Sequence, residues 1–435
     1  MKKVSLRASF AIIMALLVIV GLVLYVFRFV QDGEKWALYF DESTSKCTYT
    51  LRDRDGTLLA KMGGGSRTYA ESSKVRTACY QLIGDFNGNV GTGALQSFSR
   101  QLSGYNIFTG IEEGEDVDLK LTVDADLNVK AYEALNGRNG SVLVVNYKTG
   151  ELLCMVSSPS IDPSKPPSTL PDGVYINRCI SSSFTPGSIF KLVTLSAAIE
   201  NIDNLFQRTF TCNGSIDVKG VTVTCTGHHG SQSIEQALAN SCNCVFGTLA
   251  LELGADTLGE YADKLGLTSE HKLDNITTAA GKYDKDESGS AALAWSGIGQ
   301  YNDLVCPYSM LRVVSAIANG GTLNEPSMLG ASENKTTLLS SSTASKIASM
   351  MNYNVTYKYG KSTFSGLDIS GKTGTAEVGK GQANHGWFVG FLNDEEHPYA
   401  FVVLVEHGGS GLGLSRGQGQ FRGHVLSHST VLAFL

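Results

Sequence analysis

Hydrophobic positions run unbroken from Phe10 to Phe27 (FAIIMALLVIVGLVLYVF), with Phe29 and Val30 just beyond. A run of about 18–20 apolar residues is the lower limit for a helix that spans a bilayer. Lys2, Lys3 and Arg7 precede it, so the positive-inside rule keeps the N-terminus in the cytoplasm. The residues that follow, RFVQDGEKW, offer no small-x-small site for signal peptidase, which favours a retained anchor at residues 10–30 over a cleaved signal peptide. The expectation is a single-pass protein of the cell membrane, with residues 1–9 as a cytoplasmic tail and the rest outside.

Beyond the anchor the pattern weakens. From Gln31 to about Asp116 the chain is polar and Gly-rich, with short strand-like pieces such as Thr48–Arg52 ahead of the turn Asp53–Gly56. Leu119–Val123 alternates as a strand, and Asp124 is suited to cap a helix that carries Leu127, Ala131, Ala134 and Leu135 on one face and stops near Gly137. Residues 31–137 therefore read as a pedestal and 138–435 as a second domain. There SVLVVNY and ELLCMVS, joined at Lys148–Gly150, predict a hairpin over Gly140–Ser157. A second hairpin pairs Trp387–Leu392 with Tyr399–Glu406. Helices are predicted between them at Leu192–Ile199, Ser233–Leu253 and Tyr308–Ala318, and again in the final HVLSHSTVLAFL. Strands at both ends with helices between imply a mixed α/β (α+β) domain whose sheet is closed by sequence-distant pieces.

Composition narrows the class. Charged residues are 17% and hydrophobic ones 42%, with only 9 Pro, which excludes a disordered chain. The 35 Lys+Arg against 41 Asp+Glu give a net charge of −6, and no run of like charge could follow a phosphate backbone, so nucleic acid is excluded as a partner. Nine cysteines are too few for a disulfide-dense scaffold, and the odd number leaves at least one unpaired in a lone chain.

The chemistry concentrates in three short motifs. Ser188-Ile-Phe-Lys191 follows Thr185-Pro-Gly and opens the apolar run LVTLSAAIE, which puts the Ser at a helix start and the Lys one turn on, on the same face. A serine hydroxyl is a poor nucleophile until a base takes its proton, and a neutral lysine amine can do so. Lysine ordinarily titrates near 10.4, and keeping it largely neutral at pH 7 takes about 4 kcal/mol of burial and like-charge repulsion. The motif thus asks for a second cation close by. Spacing alone is not distinctive, since Ser43/Lys46, Ser269/Lys272 and Ser332/Lys335 share it, but none of those opens an apolar helix. Downstream, in order, come Ser241-Cys-Asn243 and Lys372-Thr-Gly-Thr375.

The ordered set Ser-x-x-Lys, Ser-x-Asn, Lys-Thr-Gly resembles that of penicillin-binding proteins and serine β-lactamases. The wider likeness is to the class B penicillin-binding proteins, the monofunctional D,D-transpeptidases. Arg52-Asp-Arg-Asp-Gly56 resembles their early DRNG-type signature and Leu121-Thr-Val-Asp124 their LTID stretch. Lys148-Thr-Gly-Glu151, Ser158-Pro-Ser-Ile-Asp162-Pro, Asn240-Ser-Cys-Asn243, Gly297-Ile-Gly-Gln300 and Trp387-Phe-Val-Gly-Phe391 are similar too. The resemblance implies a penicillin-binding transpeptidase fold: a mainly antiparallel sheet with helices on both faces, after a small pedestal and one transmembrane helix. It implies that Lys191 deprotonates Ser188 and that Ser241 and Asn243 carry the proton to the leaving amine. Lys372, Thr373, Gly374 and Thr375 would hold the substrate, and the backbone N–H groups of Ser188 and Thr375 would form the oxyanion hole. The substrate implied is the D-Ala-D-Ala stem of nascent peptidoglycan, the inhibitors are β-lactams, and the partner is a glycan polymerase of the SEDS family. No cofactor or metal is required. Cys242 stands where β-lactamases commonly have Asp, and no loop supplies a second-base Glu, so slow hydrolysis of the acyl-enzyme is expected. A carboxypeptidase or β-lactamase on the same site, and a silent envelope scaffold, are the rival readings.

Other motifs carry less. Lys148-Thr-Gly150 reads as turn chemistry, and Gly413-Leu-Ser415-Arg-Gly417 has no acidic residue after it to complete a hydrolase triad. Cys212, Cys225, His228, His229, Cys242 and Cys244 crowd around the second motif. Buried free thiols explain them, as do a disulfide (Cys212 to Cys225 or Cys225 to Cys244) and a zinc site of two Cys and a His. Cys47, Cys79, Cys154, Cys179 and Cys306 read as structural. Trp387, Phe388 and Phe391 fit a core strand, and His385 a loop.

Overall fold

The two predicted hairpins meet in one five-stranded sheet. Strands β1 (Gly140–Asn146), β2 (Leu152–Ser158), β3 (Ile369–Ala376), β4 (His385–Leu392) and β5 (Tyr399–Val405) lie in the order β3-β4-β5-β1-β2, every neighbouring pair antiparallel. These coordinates are a computed structural model, which describes residues 2–409 apart from 41–47, 64–65, 104, 107–109, 112–115, 286–288, 361–363, 365–366 and 380. The pairing of β5 with β1 runs from Tyr399 against Asn146 to Val405 against Gly140 and closes the sheet across the domain.

Alternation along the strands builds a core on each face. Helix α1 (Lys2–Phe40) precedes the folded body, and helix α2 (Ala125–Leu135) covers one face of the sheet, where Ala131 and Leu135 pack with Val142, Val144, Phe388, Phe401 and Val403. Leu143, Val145, Trp387, Val389, Val402 and Leu404 point to the larger core on the other face. That core is shared with α3 (Lys191–Asn201), α4 (Ile234–Ala239), α5 (Asn243–Lys264), α6 (Pro307–Ala318) and α7 (Ser341–Tyr353). Helix α6 is buried on nearly all sides, as a helix sandwiched between a sheet and other helices must be.

The pedestal carries a four-stranded sheet in the order Ser66–Tyr69, Leu58–Gly63, Tyr49–Arg52, Val117–Lys120, the last pair parallel. Buried Asp53 fastens this sheet to helix α2, which packs on the five-stranded sheet. Its Oδ1 accepts the N–H groups of Asp55 (3.0 Å) and Thr57 (2.7 Å), and its Oδ2 accepts that of Ala125 (3.1 Å) in the first turn of α2. A carboxylate at a helix N-terminus also suits the helix dipole. Arg76 holds Asp162 in a two-pronged ion pair, both contacts 2.7 Å, and so ties the pedestal to the segment ahead of Ser188.

The structure differs from the sequence reading in four places. Helix α1 runs unbroken past Val30 to Phe40. The pedestal contains short helices such as Ser73–Ala78 and Tyr80–Ile83, each too short to show a period in the sequence yet anchored by buried Val75, Leu82 and Ile83. The strand expected at Leu119–Val123 is Val117–Lys120, because Thr122 leaves the sheet to donate its N–H to the Met328 carbonyl at 2.8 Å. The stretch Ser233–Leu253 is not one helix: α4 ends at Ala239 and α5 starts at Asn243, with Ser241 between them in the left-handed region at φ 51°. The helix expected in HVLSHSTVLAFL lies outside the described residues, as does Ser415.

Candidate active site

Ser188 lies on a single 3-10 turn, Gly187–Ile189, that leads into α3, so Lys191 follows it by one turn on a continuous helical path. Two glycines let strand β3 press against this turn. A Cβ on Gly187, whose φ is +57°, would be 2.3 Å from the Thr375 carbonyl oxygen. One on Gly374 would be 3.0 Å from both the Ile189 side chain and the Pro186 carbonyl oxygen. From β4, the fully buried Trp387 donates its indole N–H to the Thr185 carbonyl at 2.9 Å. Strand and turn are thereby locked at fixed separation.

Four oxygens surround the Lys191 amine. Nζ is 2.9 Å from Ser188 Oγ, 2.7 Å from the Ser241 carbonyl oxygen, 3.1 Å from Ser241 Oγ and 2.8 Å from Asn243 Oδ1. Two of these are carbonyl oxygens that can only accept, and they take two N–H groups. A neutral amine then has its lone pair left for a hydroxyl, and the nearer hydroxyl is Ser188. Burial pushes the Lys191 pKa from 10.5 down to about 7, and the nearby Cys225 and Cys242 oppose that shift only in part. Burial is thus the leading cause, rather than the second cation asked for by the sequence. A second amine is nevertheless close: Lys372, fully buried, is 3.1 Å from Ser241 Oγ and 2.7 Å from the Thr373 carbonyl oxygen. Burial, and then the charge on Lys191, hold its amine well below the ordinary lysine range.

The left-handed turn at Ser241 explains how one residue reaches both amines, since it swings Oγ between Lys191 and Lys372. Asn243, at the start of α5, is held from the far side by its Nδ2, which donates to the Thr224 carbonyl at 3.0 Å. Ser188, Ser241, Asn243, Thr373 and Thr375 line one cleft of about 290 Å³. Gly374, between the two threonines, is turned instead toward the Gly187–Ile189 turn. Sequence reasoning did not single out Glu377 or Tyr359. Glu377 lines the same cleft, and the period-two alternation Thr373, Thr375, Glu377 could have found it. Tyr359, whose hydroxyl is 3.2 Å from both the Thr373 N–H nitrogen and Oγ1, carried no signal.

The weaker motifs disperse. Lys272 and Lys335 lie on short strands rather than on a helix, and Ser43 and Lys46 are outside the described residues. Lys148–Gly150 is a hairpin tip. His385 is a correction: it opens β4, is buried, and its Nδ1 accepts the His407 N–H at 3.2 Å. The eight described cysteines are free, and four donor atoms, of Cys212, Cys225, His229 and Cys242, gather near the Ser-x-Asn turn.

Serine, buried lysine and a second serine-lysine pair across one cleft supply the groups that serine-type acyl transfer needs. The family described as the penicillin-binding protein transpeptidase domain matches residues 140–426. The chain belongs to that family and is an enzyme of its serine type. It is similar to peptidoglycan D,D-transpeptidase PbpA of Mycobacterium tuberculosis, 28% identical over 74% of this chain and 73% of the relative. It is also similar to stage V sporulation protein D of Bacillus subtilis, 29% identical over 67% of this chain and 50% of that protein. Among solved structures the fold matches the D,D-transpeptidase domain of a peptidoglycan glycosyltransferase from Eggerthella lenta, with a TM-score of 0.74, 24% identity, 90% of this chain and 97% of that one. It matches penicillin-binding protein A from M. tuberculosis, solved as a penicillin G acyl-enzyme, with a TM-score of 0.70, 23% identity, 90% of this chain and 99% of that one.

Proposed function

We propose that the protein is a peptidoglycan D,D-transpeptidase that cross-links stem peptides through an acyl-enzyme on Ser188. Lys191 takes the proton from Ser188 Oγ as that oxygen attacks the carbonyl carbon of the penultimate D-Ala. The oxyanion so formed is held by the backbone N–H groups of Ser188 and Thr375. Collapse breaks the peptide bond, Ser241 relays the proton from Lys191 to the departing amine, and terminal D-Ala leaves. The amino group of a neighbouring stem then attacks the ester carbonyl, forms the cross-link and returns a proton toward Ser188. Asn243 orients Lys191 and the substrate amide. Lys372 and the hydroxyls of Thr373 and Thr375 hold the substrate carboxylate, and Gly374 lets their strand approach. A β-lactam enters the first half of this cycle and stops there.

The observation that carries this reading is the 2.9 Å contact of Lys191 Nζ with Ser188 Oγ, with the amine's two N–H groups spent on carbonyl oxygens. The names of the relatives supply the substrate class. The protein works outside the cytoplasm as a single-pass membrane protein, anchored by residues 10–30 with its N-terminus inside, beside a SEDS-family glycan polymerase. The pedestal is residues 31–137 and the transpeptidase domain 138–435.

The test is a D-Ala-D-Ala thioester offered with a D-amino acid. Transpeptidation predicts that the acceptor-coupled product dominates at high acceptor. Free acid dominating instead would make the protein a carboxypeptidase, and a wild type that takes no fluorescent penicillin would make it a scaffold. Ser188→Ala should remove the label.

A further inference from the structure

We propose that Cys212, Cys225, His229 and Cys242 bind a zinc ion that clasps a two-stranded ribbon onto the Ser-x-Asn turn. The chain brings the four together by nested pairing. Strand Phe210–Cys212 pairs with Gly230–Gln232, in register Cys212 to Gly230, which puts His229 one residue past the partner of Cys212. Inside that pair the hairpin Ser215–Val218 with Val221–Thr224 returns the chain to Cys225, whose N–H donates to the Gly214 carbonyl at 2.8 Å. Cys242 comes from the other side, as the residue that caps α5.

The distances fit a metal. All four donor atoms lie within 4.8 Å of one another. Cys225 Sγ is 3.8 Å from Cys242 Sγ and 3.6 Å from His229 Nδ1. Tetrahedral zinc, with bonds of about 2.3 Å to sulfur and about 2.0–2.1 Å to nitrogen, has S···S edges of about 3.8 Å and S···N edges of about 3.6 Å. Three sulfurs and an imidazole without a carboxylate select zinc over calcium or magnesium. The surroundings complete the site, because the Asn243 N–H donates to Cys225 Sγ at 3.2 Å and the amides of Gly227 and Cys244 point at the same sulfur. Binding expels the protons of any thiols still protonated and leaves three thiolates and a neutral imidazole on the ion. With four protein ligands the site is closed to substrate, so its role is structural.

Position gives it a consequence. Cys242 separates Ser241 from Asn243, and Cys225 follows Thr224, whose carbonyl holds Asn243. The ion therefore fixes the groups that orient Lys191, an effect that rests on the proposed reaction; metal binding itself does not. The experiment uses the full chain in detergent, purified without chelator or added metal, and measures metal content by plasma mass spectrometry. About one zinc per chain is expected, replaceable by cobalt with thiolate-to-metal charge-transfer absorption. Cys225→Ser and His229→Ala should lose both, while Cys244→Ser, outside the four, keeps them. Because a ligand variant can fail to fold, wild type is also stripped with chelator: penicillin acylation should slow about 10–100-fold and recover with zinc. Wild type that neither contains zinc nor takes up zinc or cobalt overturns the site, as does a chain isolated with a Cys225–Cys242 disulfide, two hydrogens lighter. Acylation unchanged in stripped protein overturns the positioning role while leaving the reaction standing.

Discussion

At the scale of single residues the proposed reaction turns on an amine that burial shifts toward its neutral form. With its pKa near 7, Lys191 is an effective base only above that value, so the rate of penicillin acylation should climb with pH through about 7 and then level. Stopped-flow acylation across the range checks this, and a rate that falls over it would remove Lys191 as base. Stability follows the same titration. Between about 7 and 10.5 the unfolded chain holds a proton that folded Lys191 has lost, so the cost of burying this group is full below pH 7 and is relieved as pH rises. Asn243→Ala should slow acylation about 10–100-fold, the loss of one hydrogen bond to a polarised group, with the melting temperature little changed. The three motifs were legible because each needs particular residue types at fixed spacing. Tyr359 was not, since its link to Thr373 depends on a turn whose path no local pattern reveals.

At the scale of elements, the approach of strand β3 to the Ser188 turn is bounded by glycine. Gly187→Ala would drive a Cβ into the Thr375 carbonyl at 2.3 Å with φ at +57°. We expect it to cost about 1–3 kcal/mol in thermal unfolding and to slow acylation by parting Ser188 from Thr375. An unaltered melting curve and rate would show that the contact is slack. The hairpins of the main sheet were readable because both faces are buried and the strands run as unbroken apolar segments. The break in Ser233–Leu253 was not, because helical periodicity continues on either side of Ser241 and only the active-site contacts of its side chain repay the left-handed backbone.

At the scale of the whole molecule, Arg7–Val30, whose most apolar 18-residue stretch has mean hydropathy 3.0, is the described helix long and apolar enough to cross a membrane. Removing residues 1–40 should move the protein from the membrane to the soluble fraction while it still takes penicillin at Ser188; label lost on truncation would make the helix part of the catalytic fold. The sheet itself ends at β3, an outermost strand. Exposed strand margins invite other chains to zip on. Here the Thr373 N–H donates to the Tyr359 hydroxyl, the Thr373 carbonyl accepts from Lys372 and the Thr375 carbonyl accepts from Gln300. Side chains rather than a neighbouring strand occupy these three groups, so a foreign strand would have to displace them before it could pair there.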